Sequence, residues 1–334
     1  MRLIPGAVVA LALALGAASL SGQSTPVAPL RFVSTPWPPF TNEAGKPRIA
    51  LNLVEAALGR AGLKGDTTIV EPAQFAAALV SDRYDGSAAA WKDAGRERVL
   101  LYSQPYLENR LVLVGRRGDD VSATGLGGVS GRRIALVEGY SYGDAIVTSG
   151  VVPVPSRSEE DSVALLLAKK VDYVLMDELV VQYILENHPN EARTRLSVGT
   201  TPLLKRALHL AVRRSHPDAD AIVERFNAQL RGMIADRTYH RLLNVSWILA
   251  DVDGDGVTEL VPKSDLSGRE APKQAYSLFS TDPLNTKSTQ TGPRYYIGGT
   301  IYTDWAAVPN RYKSPPPNLP DSDSRTASIF TFRW

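Results

Sequence analysis

The sequence predicts an α/β protein of two lobes joined by a two-strand hinge, with a small C-terminal appendage of strands and loops. Three observations predict it. Short aliphatic or β-branched runs alternate with segments of helical spacing from Leu30 to Trp247. The alternation occurs twice, and extended segments near 110–116 and 206–213 join the two units. After about residue 250, Pro, Ser, Thr, Tyr and Asp rise and the helical period is lost.

In the first unit, Leu30–Thr35 reads as a strand. It ends at Pro36-Trp37-Pro38-Pro39-Phe40, where three prolines forbid regular structure. Leu51, Val54, Ala57 and Leu58 form one helix face over residues 50–62, stopped by Gly62. Thr67–Val70 is strand-like and Ala73–Ser81 is a second helix. Ser87–Trp91 is a short small-residue segment before the charged stretch Lys92–Arg98.

In the second unit, Leu111–Val114 and Ile134–Val137 are strands, and the latter leads into a turn at Gly139–Gly143. Ser158-Glu159-Glu160-Asp161 has the form of a helix cap with acids in the first turn, and the helix runs on through Leu165–Leu167. Val171–Met176 is a buried strand leading into Asp177, and Leu208–Val212 is a further strand. Residues 217–243 read as one long helical stretch, with Val223, Phe226, Leu230, Met233 and Ile234 on one face. These elements place lobe 1 at about 29–113 and 209–247 and lobe 2 at about 114–208. Lobe 1 is discontinuous, because the chain returns to it after the second crossing.

Composition narrows the class. The chain has 334 residues, with 37 basic against 35 acidic side chains, a balance that disfavours a nucleic-acid partner. There is no cysteine, which excludes disulfides, thiol catalysis, thiolate metal sites and a lipid anchor on Cys. Met1-Arg2, an apolar run from Ile4 to Leu20 and a small-residue exit at Ser19, Ser21 and Gly22 form a secretory signal peptide over residues 1–24. No later segment is long and apolar enough to cross a bilayer, so no membrane span is expected after cleavage.

Six motifs then occur in order. They are Trp37-Pro38-Pro39-Phe40; Tyr84-Asp85-Gly86; Arg96 followed by Tyr102-Ser103-Gln104-Pro105-Tyr106; Gly139-Tyr140-Ser141-Tyr142; Val171–Asp177; and Ala235-Asp236-Arg237-Thr238-Tyr239-His240 through Trp247. In this the chain resembles the amino-acid-type extracellular solute-binding proteins of bacterial ABC importers, family 3. The resemblance covers roughly residues 29–247. It implies a periplasmic binding protein-like fold over residues 25–250 that closes on a small carboxylate-bearing solute. It also implies a periplasmic or secreted location, a monomer, and an ABC permease or membrane sensor as partner.

The residues carry the same reading. The Arg96 guanidinium is a rigid fork suited to a carboxylate, and the family's matching Arg grips the ligand α-carboxylate. Asp177 ends an apolar strand, where α/β sheets place ligand contacts. The family uses the matching residue for a ligand ammonium, while Asp is equally a good N-cap for a helix starting at Glu178. Trp37, Phe40, Trp91, Tyr140 and Tyr142 supply flat apolar walls, with packing as the alternative role of Phe40. Ser141 offers a hydroxyl beside the backbone N–H groups of its turn. The stretch Ser87-Ala88-Ala89-Ala90-Trp91-Lys92-Asp93 departs from the family by losing hydroxyls and gaining bulk.

Asp251-Val252-Asp253-Gly254-Asp255-Gly256-Val257-Thr258-Glu259 has the form of a Ca²⁺ loop. Asp251, Asp253, Asp255 and Glu259 would offer carboxylates and Val257 its carbonyl. The twelfth position is Pro262 rather than Glu, so the loop is similar to FG-GAP-type repeats more than to a full EF-hand. A structural calcium is the only cofactor expected, with no organic one. Two alternatives to solute capture remain open. One is a cyclohexadienyl dehydratase-like lyase on the same scaffold, with Asp177, Glu178, Lys92 or Asp93 as acid–base groups. The other is a partner-binding module acting through the appendage, residues 251–334.

Overall fold

The structure is a computed structural model that describes residues 28–272, 275–277 and 292–313. The expected signal peptide and residues 314–334 of the appendage lie outside the described residues.

The first lobe begins with β1 (Leu30–Ser34), α1 (Ile49–Arg60), β2 (Gly65–Ile69), α2 (Pro72–Leu79), β3 (Gly86–Trp91) and β4 (Leu100–Tyr102). The long β5 (Leu107–Arg116) crosses to β6 (Arg133–Val137), α3 (Asp144–Thr148), β7 (Val152–Ser156), α4 (Glu159–Leu167), β8 (Tyr173–Asp177), α5 (Glu178–Asn187) and α6 (Pro189–Arg195). The eighteen-residue β9 (Leu196–Arg213) returns to α7 (Ala219–Ala235) and α8 (Thr238–Leu243). The appendage follows as β10 (Trp247–Ala250), β11 (Glu259–Pro262), β12 (Tyr276–Ser277), β13 (Arg294–Ile297) and β14 (Thr300–Tyr302).

One sheet runs through both lobes in the order β2-β1-β3-β9-β5-β8-β6-β7, with β4 also on β9. Parallel pairing of β1 with β2, and of β6 with β7 and β8, marks the two α/β units. The antiparallel pair β5–β9 joins them, with register shifts at Leu111/Val112 and Val112/Val114. Among the described residues, this pair of extended strands is the link between the two units within the sheet.

Two expectations needed revision. Ser87–Trp91 belongs to strand β3, whose six residues are all buried. Small residues suit a strand covered on both faces, and such a strand shows no polar alternation to reveal it. Its first residue tolerates only glycine, because a Cβ on Gly86 would collide with the Ala211 carbonyl oxygen of β9. The helical stretch 217–243 is two helices. Between them Arg237 adopts φ +67°, and Asp236 Oδ1 accepts from Thr238 N at 3.1 Å and from its hydroxyl at 2.7 Å. That local cap stops one helix and starts the next.

The appendage is a five-stranded sheet, β12-β10-β11-β13-β14. Ile248, Ala250, Val261 and Tyr276 belong to the same buried cluster as α1, α7 and the hinge strands. His240 Nε2 bonds the Val261 carbonyl at 2.9 Å, and the Tyr276 hydroxyl donates to the Glu108 carbonyl of β5 at 3.1 Å. The appendage therefore rests on lobe 1 and on the start of the hinge.

Candidate functional site

The site lies where the carboxyl ends of β1, β3 and β6 face one another. The end of β1 leads through Ser34 and Thr35 into the proline-rich turn that holds Trp37. The end of β3 presents Ala89, Ala90 and Trp91. The end of β6 leads into Gly139–Ser141. Together with Phe75, Arg96 and Leu208, these residues line a cavity of about 30 Å³. That is room for one or two waters, so a solute the size of an amino acid would fit only with the lobes parted or the rings turned.

Arg96 follows a turn in which its N–H donates to Asp93 Oδ1 at 3.1 Å. Asp93, in the position that departs from the family pattern, thus shapes the turn that carries the arginine. The Arg96 guanidinium reaches over the cleft to the Gly139 carbonyl at 3.3 Å. Gly139 has φ +83°, and a Cβ there would lie 3.1 Å from the Pro72 carbonyl of lobe 1. Glycine lets the lobes approach this closely.

The aromatic walls are continuous. Trp37 and Trp91 meet edge-on at 5.5 Å, and Tyr140 lies 5.8 Å from each. Tyr142 packs on Trp91 at 5.4 Å, and its hydroxyl accepts from Val137 N at 3.0 Å. Phe40 stacks against the back of Trp37 at 4.5 Å and is fully buried, outside the cavity lining. Thr35 Oγ1 and the Tyr140 hydroxyl bond each other at 3.0 Å from opposite lobes. The Arg206 guanidinium stands 5.9 Å from the Trp91 ring and donates to the Lys92 carbonyl at 2.5 Å.

Asp177 lies away from this lining. It is 2% exposed, caps α5 by accepting Leu179 N at 2.8 Å, and accepts Arg110 N at 2.9 Å and Asn109 Nδ2 at 3.1 Å. Burial pushes its carboxyl up to about 7, with Glu178 adding to the shift. Lys92 is paired at the surface with Glu97 at 2.6 Å. Of the predicted site residues, Trp37, Trp91, Arg96, Tyr140 and Ser141 come together on the cavity. Tyr142 and Phe40 support them from behind.

Sequence reasoning missed Glu159. Its place in a helix-cap pattern is real, since the Ser158 hydroxyl accepts Asp161 N at 3.1 Å. Yet Glu159 itself is 8% exposed, beside Trp37 from the other lobe, and burial pushes it up to about 8. An acid in a first helical turn normally faces solvent, so no sequence signal distinguishes this one.

The loop 251–259 is folded by its own acids. Asp251 accepts Gly254 N at 2.7 Å and Gly256 N at 3.0 Å, and Glu259 Oε2 accepts Val252 N at 3.0 Å. Oxygens of Asp251, Asp253 and Glu259 lie within 4.8 Å of one another, a set that could hold a hard cation. Arg294 of β13 meets three of the loop's acids. Its guanidinium contacts Asp255 at 2.6 Å, Glu259 at 2.9 Å and Asp253 at 3.1 Å. The oxygens thus fit a metal by type and spacing, and a side-chain cation already answers part of their charge.

Residues 31–249 match the model of the bacterial extracellular solute-binding proteins, family 3. The chain belongs to this family. Solved structures share its two-lobed fold. An ancestral arginine-binding protein bound to arginine aligns with TM-score 0.55 at 21% identity, over 66% of this chain and 98% of that one. The GluR0 ligand-binding core from Nostoc punctiforme in complex with L-glutamate aligns with TM-score 0.53 at 18% identity, over 65% and 98%. A histidine kinase sensor domain with similarity to periplasmic binding proteins gives 0.55 at 20%, over 64% and 93%. These neighbours are binding and sensor proteins, and at such identities they show the fold alone. No curated protein matches the chain by sequence. The family model stops at the first appendage strand, so β11–β14 are an addition to the family's body. Among the described residues, no helix is long and apolar enough to cross a membrane.

Proposed function

We propose that the chain captures a small carboxylate-bearing solute, an amino acid or a relative of one, between its lobes in the periplasm. The closed form would then be read by an ABC permease or a membrane sensor. One observation carries the reading. Arg96 reaches into a cavity edged by the Ser34, Thr35 and Ser141 residues and the Tyr140 ring, and its guanidinium already bridges to lobe 2. A carboxylate placed there takes a bidentate pair from Arg96 in exchange for the single Gly139 contact. Ligand contacts present only in the closed form would drive closure. The acid–base candidates of the lyase reading, Asp177, Glu178, Lys92 and Asp93, do not line this cavity.

The test is a thermal-shift screen of the mature protein, first unfolded and refolded to strip bound solute. Its panel holds amino acids, opines, polyamines and small aromatic or dicarboxylic acids. A ligand at a hundred times its Kd adds about 2.7 kcal/mol to stability. A hit that disappears in Arg96→Ala supports carboxylate capture, and a panel without hits counts against it. Conversion of a chorismate-derived acid would instead favour the lyase.

In the same reading, Asp251, Asp253, Asp255, Glu259 and the Val257 carbonyl hold a structural Ca²⁺. The ion would pin β10 to β11 and supply charge that Arg294 otherwise provides.

A further inference from the structure

A second cavity lies at the joint between lobe 1 and the appendage. Asp236 and Arg237 line it from the turn between α7 and α8. Ser264 and Asp265, just after β11, and Tyr296 and Gly299, of the β13–β14 hairpin, line it from the appendage. It encloses about 350 Å³, against about 30 Å³ in the cleft. Sites for small organic ligands begin at about 300 Å³. The family model ends at residue 249, so this cavity exists only because the appendage is seated on the family's body. The Asp265 side chain is exposed, and the cavity is reached from solvent without any movement of the lobes.

The lining is polar, and its charges already answer one another. Asp236 pairs with Arg60 at 2.6 Å, and its other oxygen accepts from Thr238. Arg237 Nη2 donates to Asp265 Oδ1 at 3.1 Å. A charged ligand would have to break one of these pairs or sit beside them without a partner of its own, and both are costly. A neutral ligand leaves both pairs intact. Hydrogen-bonding capacity remains for it. Arg237 Nη1 is buried without a partner among the described residues. The Asp265 carboxylate keeps further acceptor sites, and the Ser264 hydroxyl, which donates to the Leu266 carbonyl at 3.0 Å, can still accept. Tyr296, paired with Ile301 across the hairpin and partly buried against the main core, adds a flat apolar face. Arg237 also holds φ +67°, where glycine is the favoured residue. Backbone kept there by a residue with a β-carbon concentrates at ligand sites.

We propose that this cavity binds the ring of a neutral sugar, with Arg237 and Asp265 on neighbouring hydroxyls and Tyr296 against the ring's apolar face. A hydroxyl both donates and accepts, so adjacent hydroxyls are matched by a guanidinium and a carboxylate held side by side. The C–H face of a sugar ring is the part that a tyrosine ring covers well. An anion finds its arginine already engaged by Asp265, and an apolar ligand leaves the polar groups unanswered. The pairing of Arg237 with Asp265 fixes both side chains before a ligand arrives, which lowers the ordering cost of binding. The site does not depend on Arg96 or on lobe closure, so it stands or falls apart from the capture of a carboxylate in the cleft.

The experiment is saturation-transfer NMR, followed by calorimetric titration, of the mature chain with neutral sugars. The panel is the methyl glycosides of glucose, galactose, mannose and N-acetylglucosamine, with cellotriose, maltotriose and chitotriose beside them. Inorganic phosphate and citrate serve as anionic probes. At least one sugar is expected to bind saturably, and neither anion is expected to compete with it. Arg237→Gly, whose residue suits the backbone at φ +67°, and Asp265→Ala, at an exposed position, should each weaken that sugar by tenfold or more. Melting curves check that both variants fold. Arg96→Ala should leave the sugar affinity unchanged. A trimer that binds tenfold more tightly than its monomer identifies the ligand as a unit of a glycan chain, and equal affinities identify a free sugar. Absence of binding across the whole sugar panel overturns the proposal, as does binding of the anions alone. Sugar affinity that survives in both Arg237→Gly and Asp265→Ala, or that is lost in Arg96→Ala, overturns it too.

Discussion

The indole N–H of Trp91 donates to Asn109 Oδ1 at 2.7 Å, both residues being buried. Asn109 sits on hinge strand β5 and passes its own amide N–H to Asp177 at 3.1 Å. A wall of the cleft in lobe 1 is thereby tied, through the hinge, to the cap of a helix in lobe 2.

Removing that link should be expensive. Asn109→Ala strands the Trp91 donor in the interior, a loss of about 1–3 kcal/mol, while Asp177 Oδ2 loses one bond and keeps that from Arg110 N. Urea unfolding is expected to show a destabilisation of about 1–3 kcal/mol. A change below about 0.5 kcal/mol would show that the chain of bonds carries no weight.

The bond between Thr35 and Tyr140 joins the lobes directly. Tyr140→Phe deletes the hydroxyl and keeps the ring. A net hydrogen bond contributes about 1 kcal/mol, so the open-to-closed ratio of ligand-free protein should rise about fivefold. Small-angle scattering would register the larger radius of gyration. Identical scattering from the two proteins would mean that closure does not depend on this contact.

Arg294 and Ca²⁺ address the same acids. Arg294→Met leaves Asp253, Asp255 and Glu259 without their shared counter-charge. The variant should melt earlier than wild type in chelator and recover more of its melting temperature when Ca²⁺ is added. Calcium without effect on either protein would leave the loop as an arginine-neutralised turn.

Asp177 links stability to pH. Its folded carboxyl is raised from its ordinary value near 3.8 to about 7. The native state thus holds a proton that the unfolded state has lost, and this group's contribution is full below about 4 and fades as pH rises toward about 7. Asp177→Asn removes the titration. The decline in stability across that window should be shallower in the variant than in wild type, as followed by denaturant midpoints at several pH values. Parallel profiles would place the Asp177 titration elsewhere.

Much of the fold was legible because the hydrophobic period is strong where elements are half exposed. The face of Leu51, Val54, Ala57 and Leu58 on α1 is an example. Strand β3 was illegible for the opposite reason: buried on both faces and built of Ala and Ser, it has no polar side to show a period. The break at Arg237 depends on a bond between Asp236 and Thr238 that helical spacing does not report. In the site, the Arg96 and Trp37 motifs are local in sequence and could be found. Glu159 could not, because the Trp37 side chain that meets it arrives from the other lobe. Arg294 was hidden likewise, contributed to the acidic loop by a strand far along the chain.

The place of β3 between β1 and β9 also sets an order of assembly. Its parallel neighbour β1 is available early, but its antiparallel partners, Leu208–Val212, emerge only after the entire second lobe. Until then the nascent first lobe carries an uncovered sheet edge, and its helical cover from α7 and α8 is missing as well. Such long-range pairing makes folding slow and leaves the half-made chain available to chaperones or to misassembly. The segment around Gly86, where β9 must approach within touching distance of the backbone, is therefore a checkpoint for biogenesis as much as a feature of the finished molecule.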